Sequence, residues 1–233
     1  MTSISDPGYQ ATKKIMQGKE VMNPHFQPLA EWIKETYGVQ PINILYENIE
    51  DGLVQQLAIW FEHKKTEAHF LNKDGYSFDK NKIKAITQKF QQLLREQGLE
   101  KKKDQPDTWE SIREYLTEEV LITYNYFDKL AITEANEAIT TAQVKQLEQQ
   151  LSAEGLWQIS RLYGSTTFFA HTQQQVKDFT DNGTWKRWGD TWFALLQQQD
   201  EFGYIKRDKL YLVLDSKENF MDNYEGKWYY YYK

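Results

Sequence analysis

Residues 166–179 read TTFFAHTQQQVKDF, and the fold is decided by how this stretch is read. Two β-branched residues and two phenylalanines make a short strand. His171 then breaks the apolar run, and a polar, helix-compatible segment follows with Val176 and Phe179 as its apolar positions. The same form recurs at residues 57–70, LAIWFEHKKTEAHF, and at 210–224, LYLVLDSKENFMDNY. A fourth copy in looser register stands at 120–132, VLITYNYFDKLAI. In three of them the strand ends at a polar residue: Glu62, His171 and Asp215. The recurrence is a strand-to-helix turn and lacks the fixed period of a solenoid.

One strand has a strand for a neighbour as well. PINILYENI, residues 41–49, alternates Ile42, Ile44 and Tyr46 and precedes the strand at 57–61. Strands beside strands, mixed with strands that lead into helices, predict an α+β fold rather than a doubly wound sheet. The expected architecture is two small sheets, each backed by helices, with a C-terminal aromatic strand.

Several helices carry their own start and stop signals. Residues 27–37 have Pro28 in the first turn, Leu29, Trp32 and Ile33 on one face, and Gly38 at the end. Residues 80–97 follow Asp79, a capping residue, and line up Ile83, Ile86, Phe90, Leu93 and Leu94 before Gly98. Thr140 and Gln143 have capping-box spacing ahead of Val144, Leu147 and Leu151. Residues 184–199 read as a helix despite Gly189. TWESIREYL, residues 108–116, reads as a short helix. The first dozen residues, polar and turn-rich, are expected to be loosely held.

LEKKKDQPD, with its charge run and Pro106, interrupts two complete strand–helix patterns. The expected organisation is therefore an N-terminal unit over residues 1–98, a linker over 99–108 and a C-terminal unit over 109–233. The chain ends in WYYYY, residues 228–232. Read as a strand, it puts Trp228, Tyr230 and Tyr232 on one face and Tyr229 and Tyr231 on the other. A strand apolar on both faces belongs inside a covered sheet. The competing reading is an exposed stacking platform.

Composition excludes several chemistries. The chain of 233 residues has no cysteine, which removes disulfides, thiolate metal sites and cysteine nucleophiles. Net charge is −6, and all of the imbalance lies in residues 99–155, with 6 basic and 12 acidic side chains. No broad basic face exists for a phosphate backbone, so nucleic acid is not an expected partner. No apolar run is long enough to span a membrane, and a soluble, cytoplasmic protein is expected. No phosphate-binding loop or zinc-binding motif occurs. The four histidines lack ligand spacing, so no metal and no cofactor are expected.

Two sets of side chains stand out as candidate sites. The first is the polar strand-end trio Glu62, His171 and Asp215, since ligands collect beyond the carboxyl ends of strands in open α/β sheets. The competing role is helix capping, for which Asp215 and Glu218 have the right spacing. The second is aromatic. Residues 156–233 hold 19 of the 35 aromatic side chains. Trp185, Trp188, Tyr229 and Tyr231 are candidate contacts, although Trp185, Trp188 and Trp192 also fit a core stripe. These features point to a non-enzymatic protein-interaction or neutralising partner, acidic and aromatic-rich, whose own partner is basic. The alternative is a small-molecule enzyme or ligand-binding domain with a polar site at strand ends.

Overall fold

A computed structural model describes residues 3–49, 54–101, 115–162 and 164–233. The chain forms two compact units, Met1–Leu130 and Ala131–Lys233. Its secondary structure is mixed, with small sheets of three, two and three strands backed by helices.

The first unit begins with helix α1 (Pro7–Met16). Asp6 caps it by accepting from the backbone N–H of Gly8 and Tyr9, and Pro7 opens it. The N-terminus is thus a capped helix whose Tyr9 is fully buried, where looseness was expected. Helix α2 (Gln27–Tyr37) ends at Gly38, whose φ of 75° is the left-handed conformation glycine adopts without strain. Strands β1 (Pro41–Ile49) and β2 (Val54–Phe61) pair antiparallel. Helix α3 (Lys80–Glu96) follows, capped by Asp79. A small parallel pair joins β3 (Glu100–Lys101) to β4 (Tyr115–Leu116). Strand β5 (Leu121–Tyr126) then runs parallel to β2, giving the order β1-β2-β5. Helix α4 (Phe127–Glu137) carries the chain onward.

The second unit lays its strands to the same plan. Helix α5 (Thr141–Ser152) starts in a complete Thr140–Gln143 capping box. Strands β6 (Leu156–Leu162) and β7 (Ser165–Ala170) pair antiparallel. Helices α6 (Gln173–Asp181) and α7 (Thr184–Gln197) follow. Strand β8 (Tyr211–Ser216) returns parallel to β7, giving the order β6-β7-β8. Helix α8 (Lys217–Tyr224) and the single helical turn α9 (Trp228–Tyr231) complete the chain.

The correspondence extends to single bonds. Both hairpins break register next to their first paired residue, between Pro41 and Asn43 and between Leu156 and Gln158. The Asp128 N–H donates to the Glu62 carbonyl at 2.9 Å, and the Glu218 N–H donates to the His171 carbonyl at 3.2 Å. Asp128 accepts from the backbone N–H of Lys64, and Glu218 from that of Gln173. In each unit a carboxylate after the third strand thus caps the helical turn after the second. The recurring strand-to-helix turn is this device.

Two sequence expectations change. The compact units meet between Leu130 and Ala131, because β5 completes the sheet of the first unit by pairing with β2. Most of the linker expected over 99–108 and most of the helix expected over 108–116 lie outside the described residues, while Tyr115 and Leu116 are a strand. The WYYYY tail is also reassigned. Residues 228–231 form a helical turn, so Trp228, Tyr231 and Tyr232 fall on one side at i, i+3 and i+4. The last strand is β8, and the tail packs on the sheet without extending it.

Each three-stranded sheet packs large side chains on both of its faces. In the first unit Ile44, Ile59 and Phe61 face Phe26, Ile33, Ile86 and Phe90 from the helical side. On the opposite face Trp60 meets Tyr9 of α1, whose ring also stacks on Phe127 at 5.3 Å. In the second unit Phe168 lies in a cluster with Leu147, Leu151, Trp188, Trp192 and Leu196. Its neighbour Phe169 points the other way, toward Phe220, Trp228 and Tyr231.

Trp188 is fully buried and its indole N–H donates to Glu154 at 3.1 Å. It is therefore a core residue, and replacing it with alanine should cost about 3–5 kcal/mol of stability. A Trp188→Ala protein that melts at the wild-type temperature would contradict this placement.

Burial also raises the Tyr46 phenol to about 12 from an ordinary 10.0, although its bond to the Leu116 carbonyl at 2.9 Å works in the opposite direction. The unfolded chain then releases this proton first, so stability falls as pH rises from 10 to about 12. Tyr46→Phe is expected to flatten the alkaline limb of a stability–pH profile in that window.

Candidate functional site

The outer face of the second sheet carries the site. Parallel register places Ser165 opposite Tyr211, Thr167 opposite Val213 and Phe169 opposite Asp215. Alternation along each strand sends all six side chains to one face. Helices α8 and α9 cover the Phe169 end of this face. Beyond them a groove of about 590 Å³ is left. Its floor is Ser165, Thr167, Val213 and Asp215, one wall is Tyr224, Tyr231 and Tyr232, and Leu162, Gly164 and Tyr211 complete its edge. That volume lies within the range of small-molecule sites, about 300–1,000 Å³.

Among the described residues, Asp215 is the one charged side chain in the lining. Its carboxylate is held from several sides. Oδ1 accepts the Ser216 N–H at 2.7 Å and the Asn219 amide at 3.0 Å. Oδ2 accepts the same amide at 2.9 Å and the Tyr231 hydroxyl at 2.7 Å. All of these donors are neutral. Burial, together with this bond to Asp215, pushes the Tyr231 phenol well above its ordinary range, so it remains a protonated donor at neutral pH. Tyr232 is fixed separately by donating to the Ser160 hydroxyl at 2.6 Å.

The rings form corners. Tyr224 and Tyr231 meet at 4.9 Å with their planes 72° apart, and Tyr231 and Tyr232 at 5.0 Å and 90°. Edge-to-face pairs of this kind are favourable in themselves, and they present ring surfaces in more than one direction.

The sequence candidates divide among different roles. Glu62 belongs to the first unit, where it lies 3.4 Å from His63, and His63 lies 3.3 Å from Asp128. His171 and Asp215 belong to the second unit. The His171 backbone N–H donates to Gln175 and its carbonyl accepts from Glu218, while its side chain is exposed. Only Asp215 of the trio lines the groove. It does not cap α8 as its spacing to Glu218 implied, since Ser216 takes that place and accepts the Asn219 N–H at 3.0 Å. Among the aromatic candidates Tyr231 lines the groove, Tyr229 is 71% exposed outside it, Trp185 packs on the core and Trp188 is buried within it.

Tyr224, Tyr232, Ser160 and Asn219 were not singled out from the sequence. Asn219 had a local signal, four residues beyond Asp215 in the first turn of the helix that follows its strand. The Ser160–Tyr232 bond spans 72 residues and has no sequence signal. Among the described residues no cluster of His, Asp and Glu is arranged to hold a metal, and no helix is long and apolar enough to cross a membrane.

No family model, curated protein or solved structure matches the chain.

If the Tyr231–Asp215 bond holds the wall in place, Tyr231→Phe should leave the fold intact with a loss of about 1–2 kcal/mol. The ring packing of Tyr231 against Phe169 and Phe220 is kept in that variant. An unchanged unfolding free energy would show that the bond contributes nothing to the wall.

Proposed function

We propose that this is a binding protein whose second unit takes its ligand in the Asp215–tyrosine groove. The observation that carries the reading is the groove itself, a concave site walled by tyrosine rings, with the hydroxyls of Ser165 and Thr167 and the oriented Asp215 carboxylate on its floor, as ligand sites combine rings with a few polar groups. Binding is favoured over acid–base catalysis by the state of Asp215. A carboxylate has about four acceptor positions, and three donor groups, the Ser216 N–H, the Asn219 amide and the Tyr231 hydroxyl, already reach this one, the amide touching both oxygens. Little of its acceptor capacity is left to take a proton.

A second reading, a protein-interaction partner with a basic counterpart, is favoured by the exposed rings beside the groove. Tyr211 is 70% and Tyr229 71% exposed, and tyrosine is a common anchor at interfaces. The two readings share one surface, because Tyr211 is also part of the groove.

Filling the groove tests the first reading. Val213→Trp places an indole on the floor, with the helical face of the sheet untouched. Small molecules screened by thermal shift should include some that raise the wild-type Tm by several degrees, as binding far above Kd does. Those same compounds should leave Val213→Trp unmoved. Equal shifts in both proteins would place the binding elsewhere and defeat the proposal.

A further inference from the structure

Resting on the groove as a binding site, we infer that its ligand carries a methylated ammonium group. The argument begins with charge. Asp215 brings a carboxylate into the groove, and among the described residues the lining contains no cation and no ion pair to Asp215 is found. A ligand that complements the site is therefore cationic.

The type of cation follows from hydrogen bonding. Primary ammonium and guanidinium groups bring three and five N–H donors that need acceptors when they leave water. Most acceptor positions of Asp215 are occupied by Ser216, Asn219 and Tyr231. It offers charge with little free hydrogen-bonding capacity. A quaternary ammonium has no N–H to satisfy and loses nothing by this.

The rings supply the remaining attraction. Tyr224 and Tyr231 meet at 72° and Tyr231 and Tyr232 at 90°, Tyr231 touches the carboxylate, and Tyr211 also lines the groove. Methylated ammonium groups are recognised by aromatic side chains set at angles to one another, through the negative faces of the rings. The groove is larger than one such head group, so it also houses part of the molecule that carries it. That carrier is either a free small molecule or a methylated lysine side chain in a peptide.

The test uses the full chain and probes of matched shape, with affinities read by calorimetry. Choline is compared with 3,3-dimethylbutanol, its neutral isostere, and with ethanolamine, its primary ammonium counterpart. A short peptide containing trimethyllysine is compared with the same peptide unmodified. Choline or the trimethylated peptide should bind at least about tenfold more tightly than its controls, and which of them binds better identifies the carrier. Asp215→Asn should remove most of that preference. Tyr231→Phe frees an acceptor position on Asp215 and keeps the ring, so it should narrow the gap between choline and ethanolamine. A purely structural role for Tyr231 would weaken both probes equally. If the isostere or ethanolamine binds as tightly as choline, or if no cation binds, the methylammonium assignment is overturned. Ligands of another class that depend on an open groove would still support the binding reading. Choline binding that persists in Val213→Trp would overturn both.

Discussion

Two adjacent residues of β7, Phe168 and Phe169, are both fully buried, and they point to opposite faces of the second sheet. A strand with a large ring on each side is tolerated only where both faces are covered. On the Phe168 side the cover is the helical cluster around Trp188 and Trp192. On the Phe169 side it is Phe220 of α8 and Trp228 and Tyr231 of α9. The position of the tail follows from this need. Once the tail lies over Phe169, register brings Asp215, the parallel partner of Phe169, beneath the Tyr231 hydroxyl. The groove lies where that cover stops.

The first unit meets the same requirement by other means. Trp60 occupies the position of Phe169, being the residue of β2 opposite Asn125 as Phe169 is opposite Asp215. Its cover comes from α1, which precedes the sheet in sequence, through Tyr9. Gly8 allows the close approach of that helix, since a Cβ there would meet Glu47 at 3.2 Å and Leu45 at 3.3 Å. In the buried interface the Asn43 amide donates to the Thr12 hydroxyl at 3.0 Å, which in turn donates to the Gly8 carbonyl at 2.7 Å. The same sheet plan thus carries an uncharged asparagine where the second unit has an aspartate, and the charged site belongs to the second unit alone.

Much of the fold was legible because local signals agreed with each other. The β1–β2 hairpin and the caps at Asp79 and Thr140 join segments that are close in sequence. What escaped had either a weak pattern or distant partners. Strand β6 reads LWQISRL, and its register break together with Gln158, Ser160 and Arg161 hides the alternation of a strand. Arg161 is held there by the carbonyls of Asn136 and Ile139 and lies over the Trp192 ring. The tail was read with a period of two, yet Trp228, Tyr231 and Tyr232 also have helical spacing. Periodicity over five residues cannot separate the two. Helix α1 did carry a signal, Asp6 followed by Pro7, that outweighs the polarity of the segment. Of the site, Asp215 and Tyr231 could be named individually, but their bond spans 16 residues and depends on the tail being helical.

The choice of tyrosine in the tail has a physical consequence. Phenylalanine at 231 and 232 would cover Phe169 equally well and leave Asp215 and Ser160 to water. With tyrosine each ring is also tied at its far end, one to the Asp215 carboxylate and one to the Ser160 hydroxyl. A helical turn of four residues has little stability of its own. Two such ties, at 2.7 and 2.6 Å, together with ring contacts to Phe169, Phe220 and each other, hold it in one place. The Tyr231 bond, with those from Ser216 and Asn219, orients the carboxylate before any ligand arrives, so a ligand does not have to order it. The inner face of the sheet holds the second unit together, and the outer face keeps a charge in a fixed orientation, in a place open to water.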